Sequence, residues 1–148
     1  SRNVLLKIGE FVFVHAGILP QHLNSNSDKN IKKINTLMRN YLYGNKVNLN
    51  DMNKYFISSD SVLWTRAYGD DVDCKKLNQV LKILKCKYLV VGHTPQTIIN
   101  SKCNSKVWRV DVGMSDAILN NNIQILEILN NGINDSSNNF KSIRILNI

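Results

Sequence analysis

YLVVGHTPQ, residues 88–96, and FVFVHAG, residues 11–17, decide how this chain folds. Each begins with a short, unbroken apolar run and ends in small or turn-forming residues. That is the signature of a strand buried on both faces, as in a parallel sheet, rather than of a half-exposed strand with alternating polarity. Each run also ends in a histidine, His15 and His93. A buried strand holds its last side chain rigidly, so two imidazoles leaving neighbouring strand ends can share one crevice and supply half of a metal site. The third histidine, His22, lies in a polar loop and has no such setting.

Working outward, VLLKI at 4–8 faces FVFVH at 11–15 across Gly9-Glu10, which predicts a β-hairpin delivering His15 at its end. Ile31, Ile34, Leu37, Met38, Tyr41 and Leu42 recur at helical spacing, predicting a helix from Asp28 to Tyr43 with Ser27 or Asp28 as its cap and Gly44 as its stop. A shorter helix is expected from Asp51 to Ile57, followed by SVLWTRAYGDD as a loop or short strand. Asp73 to Leu84 reads as a second amphipathic helix with Leu77, Val80, Leu81 and Leu84 on its buried stripe. Strands are expected at 107–112, 123–129 and 142–148, with a bulge or frayed end in the last, where Ile143, Ile145 and Ile148 cannot share a face. The segment 130–140, rich in Asn, Gly and Ser, reads as the most flexible.

The 148 residues suffice for one ordinary domain, and 43% hydrophobic with 20% charged residues is a globular balance. A formal charge of +8 favours anionic partners such as phosphate esters. Lys75, Lys76, Lys82, Lys85 and Lys87 lie around one helix as its solvated face, without the interleaved aromatics of a nucleic-acid surface, so no nucleic acid is expected. Cys74, Cys86 and Cys103 are far apart and read as buried or free thiols. No apolar run approaches the length of a membrane span.

Among residues that could do chemistry, a histidine following an apolar strand is either a hydrogen-bonded structural residue or a ligand. Ala16-Gly17 favours the second for His15, because small residues let an ion and its anionic substrate approach the backbone. Gly92 and Pro95 frame His93 in a stiff turn. Arg66, in LWTR, is the best anion receiver, with Trp64 expected to anchor the loop in the core; its other reading is a surface ion pair with Asp70 or Asp71. Asp111, at the end of VWRVDV, either orients His93 from behind or opens a D-x-G turn, and the turn is the preferred reading.

Taken in order, VHAGI, LWTR, VVGHTPQ and VDVGMS resemble the C-terminal half of the metal-dependent phosphoprotein phosphatases, and in particular the bacterial-type branch called Shewanella-like protein phosphatases. The resemblance spans nearly all of residues 1–128, including INTLMRNYL and CKKLNQVLKILKCKYLVVGHTPQ. It implies an α/β fold, the C-terminal half of a four-layer α/β/β/α metallophosphoesterase sandwich, with two divalent metal ions of Mn, Fe or Zn type at the strand ends. His15 would match the family's HGG-type turn and His93 its GHT-type turn, both on one ion, and Arg66 an arginine that clamps the substrate phosphate. The implied reaction is hydrolysis of phosphomonoesters on phosphorylated protein by in-line attack of a metal-bridging hydroxide.

The family's GDxH, GDxxDRG and GNHE motifs, which supply the other ligands and the general acid, are absent from this sequence. The chain therefore reads as one partial metallophosphoesterase domain over 1–148, a fragment inactive alone that binds metal weakly or not at all. Its expected partners are a missing N-terminal half or further copies of itself, through exposed sheet edges. Two other functions fit parts of the pattern: a dinucleoside-polyphosphate hydrolase of the same superfamily, and a non-catalytic basic binding module resting on the +8 charge.

Overall fold

The computed structural model describes residues 3–115, 118, 122–130 and 140–148. Most of the segment 130–140 lies outside the described residues. Strands β1 (Leu5–Ile8) and β2 (Phe11–Val14) form the expected hairpin, Leu5 opposite Val14, with Gly9 taking the left-handed φ of 54° that its turn needs. Helix α1 (Ser27–Leu42) follows, then a short α2 (Leu49–Met52) that runs on as a π-helical turn over Asn53–Ile57, then α3 (Cys74–Leu84). Strand β3 (Tyr88–Val91) returns parallel to β2, and β5 (Val107–Arg109) lies parallel to β3, with β4 (Asn100–Lys102) antiparallel on its outer side. The sheet order is β1-β2-β3-β5-β4. Strands β6 (Gln124–Asn130) and β7 (Phe140–Asn147) pair as a separate antiparallel hairpin. This is a mixed α/β fold built on a sheet with a parallel centre.

Register puts Leu5, Val12, Val14, Leu89, Val91 and Val107 on one face of the sheet, and all belong to the core with Ile34 of α1 and Leu77, Val80, Leu81 and Leu84 of α3. The opposite face carries Leu6, Phe13, Val90 and Trp108 in register, yet Leu6 is 43% and Ile8 58% exposed. The run FVFV is apolar at every position because both faces of β2 are apolar, which is the pattern that its unbroken hydrophobicity predicts.

Several local expectations shift. Asn26 caps α1, its side chain accepting from Lys29 N–H, while Asp73 caps α3 by accepting from Lys75 and Lys76. Strand β4, with the sequence Asn-Ser-Lys, carries no hydrophobic pattern and is held by its pairing to β5. The residues 61–71 form turns, the loop of the two readings left open for SVLWTRAYGDD. The last strand carries both irregularities that its pattern suggested: Ile148 falls beyond the end of β7, and β7 holds one extra residue where the pairing passes from Leu129 opposite Ser142 to Asn130 opposite Phe140. Cys74 and Cys103 are bonded to each other as a disulfide, against the expectation of thiols, and only Cys86 is free. Sequence separation had hidden the pair: the start of α3 and the β4–β5 turn meet only in the folded chain.

The β1 edge of the sheet is less open than expected. The Asn35 side chain accepts from the N–H groups of Val4 and Leu5, both at 2.9 Å, and donates to the Leu5 carbonyl at 2.8 Å. A helix amide thus occupies the outward-facing bonds that a neighbouring strand would otherwise take.

His22 is also corrected: it is 2% exposed, with Nδ1 accepting from Leu19 N–H at 3.0 Å. Burial, reinforced by Lys54, lowers its pKa from 6.5 to about 4, so the ring stays neutral in the fold. Because the unfolded chain takes up the proton first, stability is full above pH 6.5 and falls as pH drops toward about 4. The expected loss is on the order of 2 kcal/mol. Urea titrations at pH 7.5 and about 4.5 on the wild type and on His22→Gln would check it, the variant losing the His22 share of the pH dependence.

Candidate active site

The site is built at the end of the parallel strand pair. Val14 and Val91 are register partners, so the residues that follow them leave the sheet side by side, and Gly92 N–H extends the ladder to the His15 carbonyl at 2.8 Å. His93 then adopts φ 66°, a left-handed conformation that costs a non-glycine residue about 1–2 kcal/mol. Such a cost is sustained where the surroundings hold a side chain in a particular direction. Here the direction is toward His15: the ring centroids are 5.0 Å apart, and His15 Nε2 lies 3.2 Å from His93 Nδ1.

That separation can be tested against a metal. Two imidazole nitrogens on one ion, each at about 2.0–2.1 Å and subtending an ordinary coordination angle, stand about 3.0–3.4 Å apart. The observed 3.2 Å falls in that range, which is also the range of a hydrogen bond between the two rings. His93 also hydrogen-bonds the Trp64 backbone, and burial, then the neighbouring His15 and Arg66, hold its pKa below the usual histidine value. A neutral ring with one nitrogen fixed by a backbone carbonyl is the form that binds metal. Among the described residues, no group of three or more His, Cys, Asp or Glu side chains converges as a complete metal site.

The loop carrying Arg66 is stitched to the His15 turn. The Val62 carbonyl accepts from Ala16 N–H at 3.1 Å and Gly17 N–H at 3.3 Å, and the Tyr68 hydroxyl donates to the Ile18 carbonyl at 2.7 Å. Trp64 is not the core anchor that its sequence position suggested. It is 55% exposed and sets its ring edge-on to His93, at 5.7 Å, while Val62, Thr65 and Tyr68 are the buried anchors. Arg66 itself is exposed and, among the described residues, forms no ion pair with Asp70 or Asp71. With Trp64, Asp60, Ile57 and His93 it lines an open hollow of about 650 Å³. His15 lines the adjoining hollow over the exposed sheet face, beside Phe13, Leu63 and Gly92. Asp111 makes the D-x-G turn, accepting from Gly113 N–H at 3.0 Å, and its charge still reaches His93.

Three of the residues picked from sequence, His15, His93 and Arg66, therefore gather at one end of the sheet. Asp60 and Tyr68 were missed: neither stands in a pattern, and only the folded loop brings them in.

No family model matches the chain. Among curated proteins it is 32% identical over 127 residues to Shewanella-like protein phosphatase 2 of Arabidopsis thaliana, covering 82% of this chain and 31% of that one. It is 35% identical over 121 residues to Shewanella-like protein phosphatase 1 of Plasmodium berghei, covering 75% of this chain and 32% of that one. An uncharacterized protein of Acanthamoeba polyphaga mimivirus is 31% identical over 162 residues, covering 86% of this chain and 64% of its own length. The chain thus spans about a third of the length of the two phosphatases it matches. In fold it is similar to the cold-active protein tyrosine phosphatase of a psychrophilic Shewanella species, with a TM-score of 0.61, 22% identity, and coverage of 76% of this chain and 34% of that one.

Proposed function

Over the part it shares with its relatives, the chain belongs to the Shewanella-like phosphatases, and from that premise we propose that it forms the His15, His93 and Arg66 side of a metal-dependent phosphoprotein phosphatase site. The observation that carries this reading is the 3.2 Å approach of His15 Nε2 to His93 Nδ1, with Arg66 lining the same hollow as His93. His15 and His93 would hold one divalent ion; when bound, such an ion contributes Lewis-acid charge and an activated water. Arg66 receives the phosphoryl oxygens through its planar fork, which is free to do so because no carboxylate occupies it among the described residues. Trp64 and Ile57, both exposed in the hollow, offer apolar contact to the group bearing the phosphate.

The remaining ligands and the general acid lie outside the pattern of this sequence, so the 148 residues alone are expected to be inactive toward phosphoprotein. The apolar face of Leu6, Phe13, Val90 and Trp108 is where a second sheet would complete a four-layer sandwich.

Two substitutions in the intact enzyme separate the roles. His93→Ala is expected to lower metal content at one of two positions, with hydrolysis falling at least about 100-fold, as when one ligand of a catalytic ion is lost. Arg66→Ala is expected to leave metal content unchanged and to weaken phosphate capture about 10-fold to 100-fold, read as kcat/KM on a phosphopeptide. Equal metal loss from both would overturn the division of roles. Turnover of a dinucleoside polyphosphate in preference to the phosphopeptide would assign the site to that chemistry instead, and tight, salt-dependent polyanion binding unaffected by either change would mark a basic binding module.

A further inference from the structure

Arg109 is a charged residue on the core side of the sheet. It is register partner to Val91, two residues before His93, and is 7% exposed. No carboxylate pairs with it among the described residues; its guanidinium is spent on two neutral acceptors instead. Nη1 donates to the Gly69 carbonyl, while Nε, at 2.7 Å, and Nη2 both donate to Asn100 Oδ1. A buried cation with this arrangement is costly to keep for packing alone.

Each acceptor belongs to one half of the site. Gly69 closes the turn that begins at Arg66, its N–H donating to the Arg66 carbonyl at 2.9 Å. The space at Gly69 is bounded by Thr94, so a Cβ there would lie 3.0 Å from Thr94 Cγ2. On the other side, Asn100 Nδ2 donates to Gln96 Oε1 at 3.3 Å, and Gln96 Nε2 donates to the carbonyls of Thr94 and Pro95 at 3.0 and 3.2 Å. A continuous hydrogen-bonded path thus runs from the Arg66 turn, through Arg109 and Asn100, to the turn that carries His93.

We infer that Arg109 is a positioning residue for phosphate capture: its fork sets the distance between the Arg66 turn and the His93 turn, and so aims the Arg66 guanidinium into the hollow. This rests on the reading of Arg66 as the phosphate receiver. A planar, multidentate donor suits the task because it fixes two acceptors in one geometry, which a lysine cannot do.

The test is titration of the isotope-labelled chain with inorganic phosphate, followed at the backbone amide resonances of Trp64, Ala67 and His93, which every variant retains. The wild type is expected to bind, and Arg66→Ala to bind about 10-fold to 100-fold more weakly. Arg109→Met, and more mildly Arg109→Lys, should weaken binding about tenfold and about threefold, respectively. The double variant Arg66→Ala/Arg109→Met should bind no worse than Arg66→Ala, a non-additivity that general loosening of the fold would not produce. If Arg109→Met fails to fold, Asn100→Ala, which takes away one acceptor and breaks the path to Gln96, is expected to weaken phosphate about threefold. Unchanged affinity in a folded Arg109 or Asn100 variant, or additive losses in the double variant, would overturn the inference while leaving Arg66 in place. Phosphate binding by the wild type that is indifferent to Arg66→Ala would instead sink the reading beneath it.

Discussion

Asn35→Leu is expected to lower the stability of the chain by about 3–4 kcal/mol, since it strands buried backbone groups at about 1–3 kcal/mol each. The N–H groups of Val4 and Leu5 and the carbonyl of Leu5 all end on the Asn35 amide, which is itself 5% exposed. Leucine keeps the branched shape and heavy-atom count but offers no partner, and the edge of β1 would be left open to another strand. Asn35→Asp keeps the acceptor and loses the donor, so an intermediate cost is expected. Urea denaturation with amide exchange at Leu5 reads both effects. A loss below about 1 kcal/mol in Asn35→Leu would mean that water reaches this edge and that the side chain is not its seal.

The second large effect is expected at Gly17. A Cβ there would sit 2.5 and 2.8 Å from two ring carbons of Tyr68 and 2.9 Å from Thr65 Cγ2, inside contact distance on both. Tyr68 cannot swing aside, because it is 3% exposed and its hydroxyl is committed to the Ile18 carbonyl. Gly17→Ala should therefore cost about 2–3 kcal/mol, the range of an overpacked core. It should also push the 65–68 segment away from the His15 turn, carrying Arg66 with it and weakening phosphate capture. In a Tyr68→Ala background the same change should cost much less, and that difference measures the clash itself. Equal cost in both backgrounds would place the strain elsewhere.

How much of this was legible in the sequence depends on range. The elements bearing the site were readable because their signals are local: FVFV and YLVV are too uniformly apolar for half-exposed strands, and Leu77, Val80, Leu81 and Leu84 repeat at the helical period. The convergence of His15 and His93 was readable because both end such strands, and parallel neighbours must emit their next residues side by side. Trp64 misled because size was taken for burial; here the small Val62 and Thr65 fill the core and the indole is left beside His93. His22 misled in the opposite sense, its polar neighbours concealing a ring that is buried as a neutral acceptor. The Cys74–Cys103 bond and strand β4 depend on tertiary pairing and leave no local trace. Arg109 did leave one: a charge between Val107 and Val110, in step with the buried residues of β5, is out of place on a core face unless it holds something there.

The central claim is that His15 and His93 share one ion. Manganese titrated into the isotope-labelled chain, to concentrations high enough to fill a weak site, tests it most directly, through paramagnetic broadening of the imidazole resonances. The account predicts that both rings broaden together at the same metal concentration, that buried His22 does not, and that His15→Ala abolishes the effect at His93. Broadening of His93 that survives His15→Ala undiminished, or that appears equally at all three histidines, would contradict it.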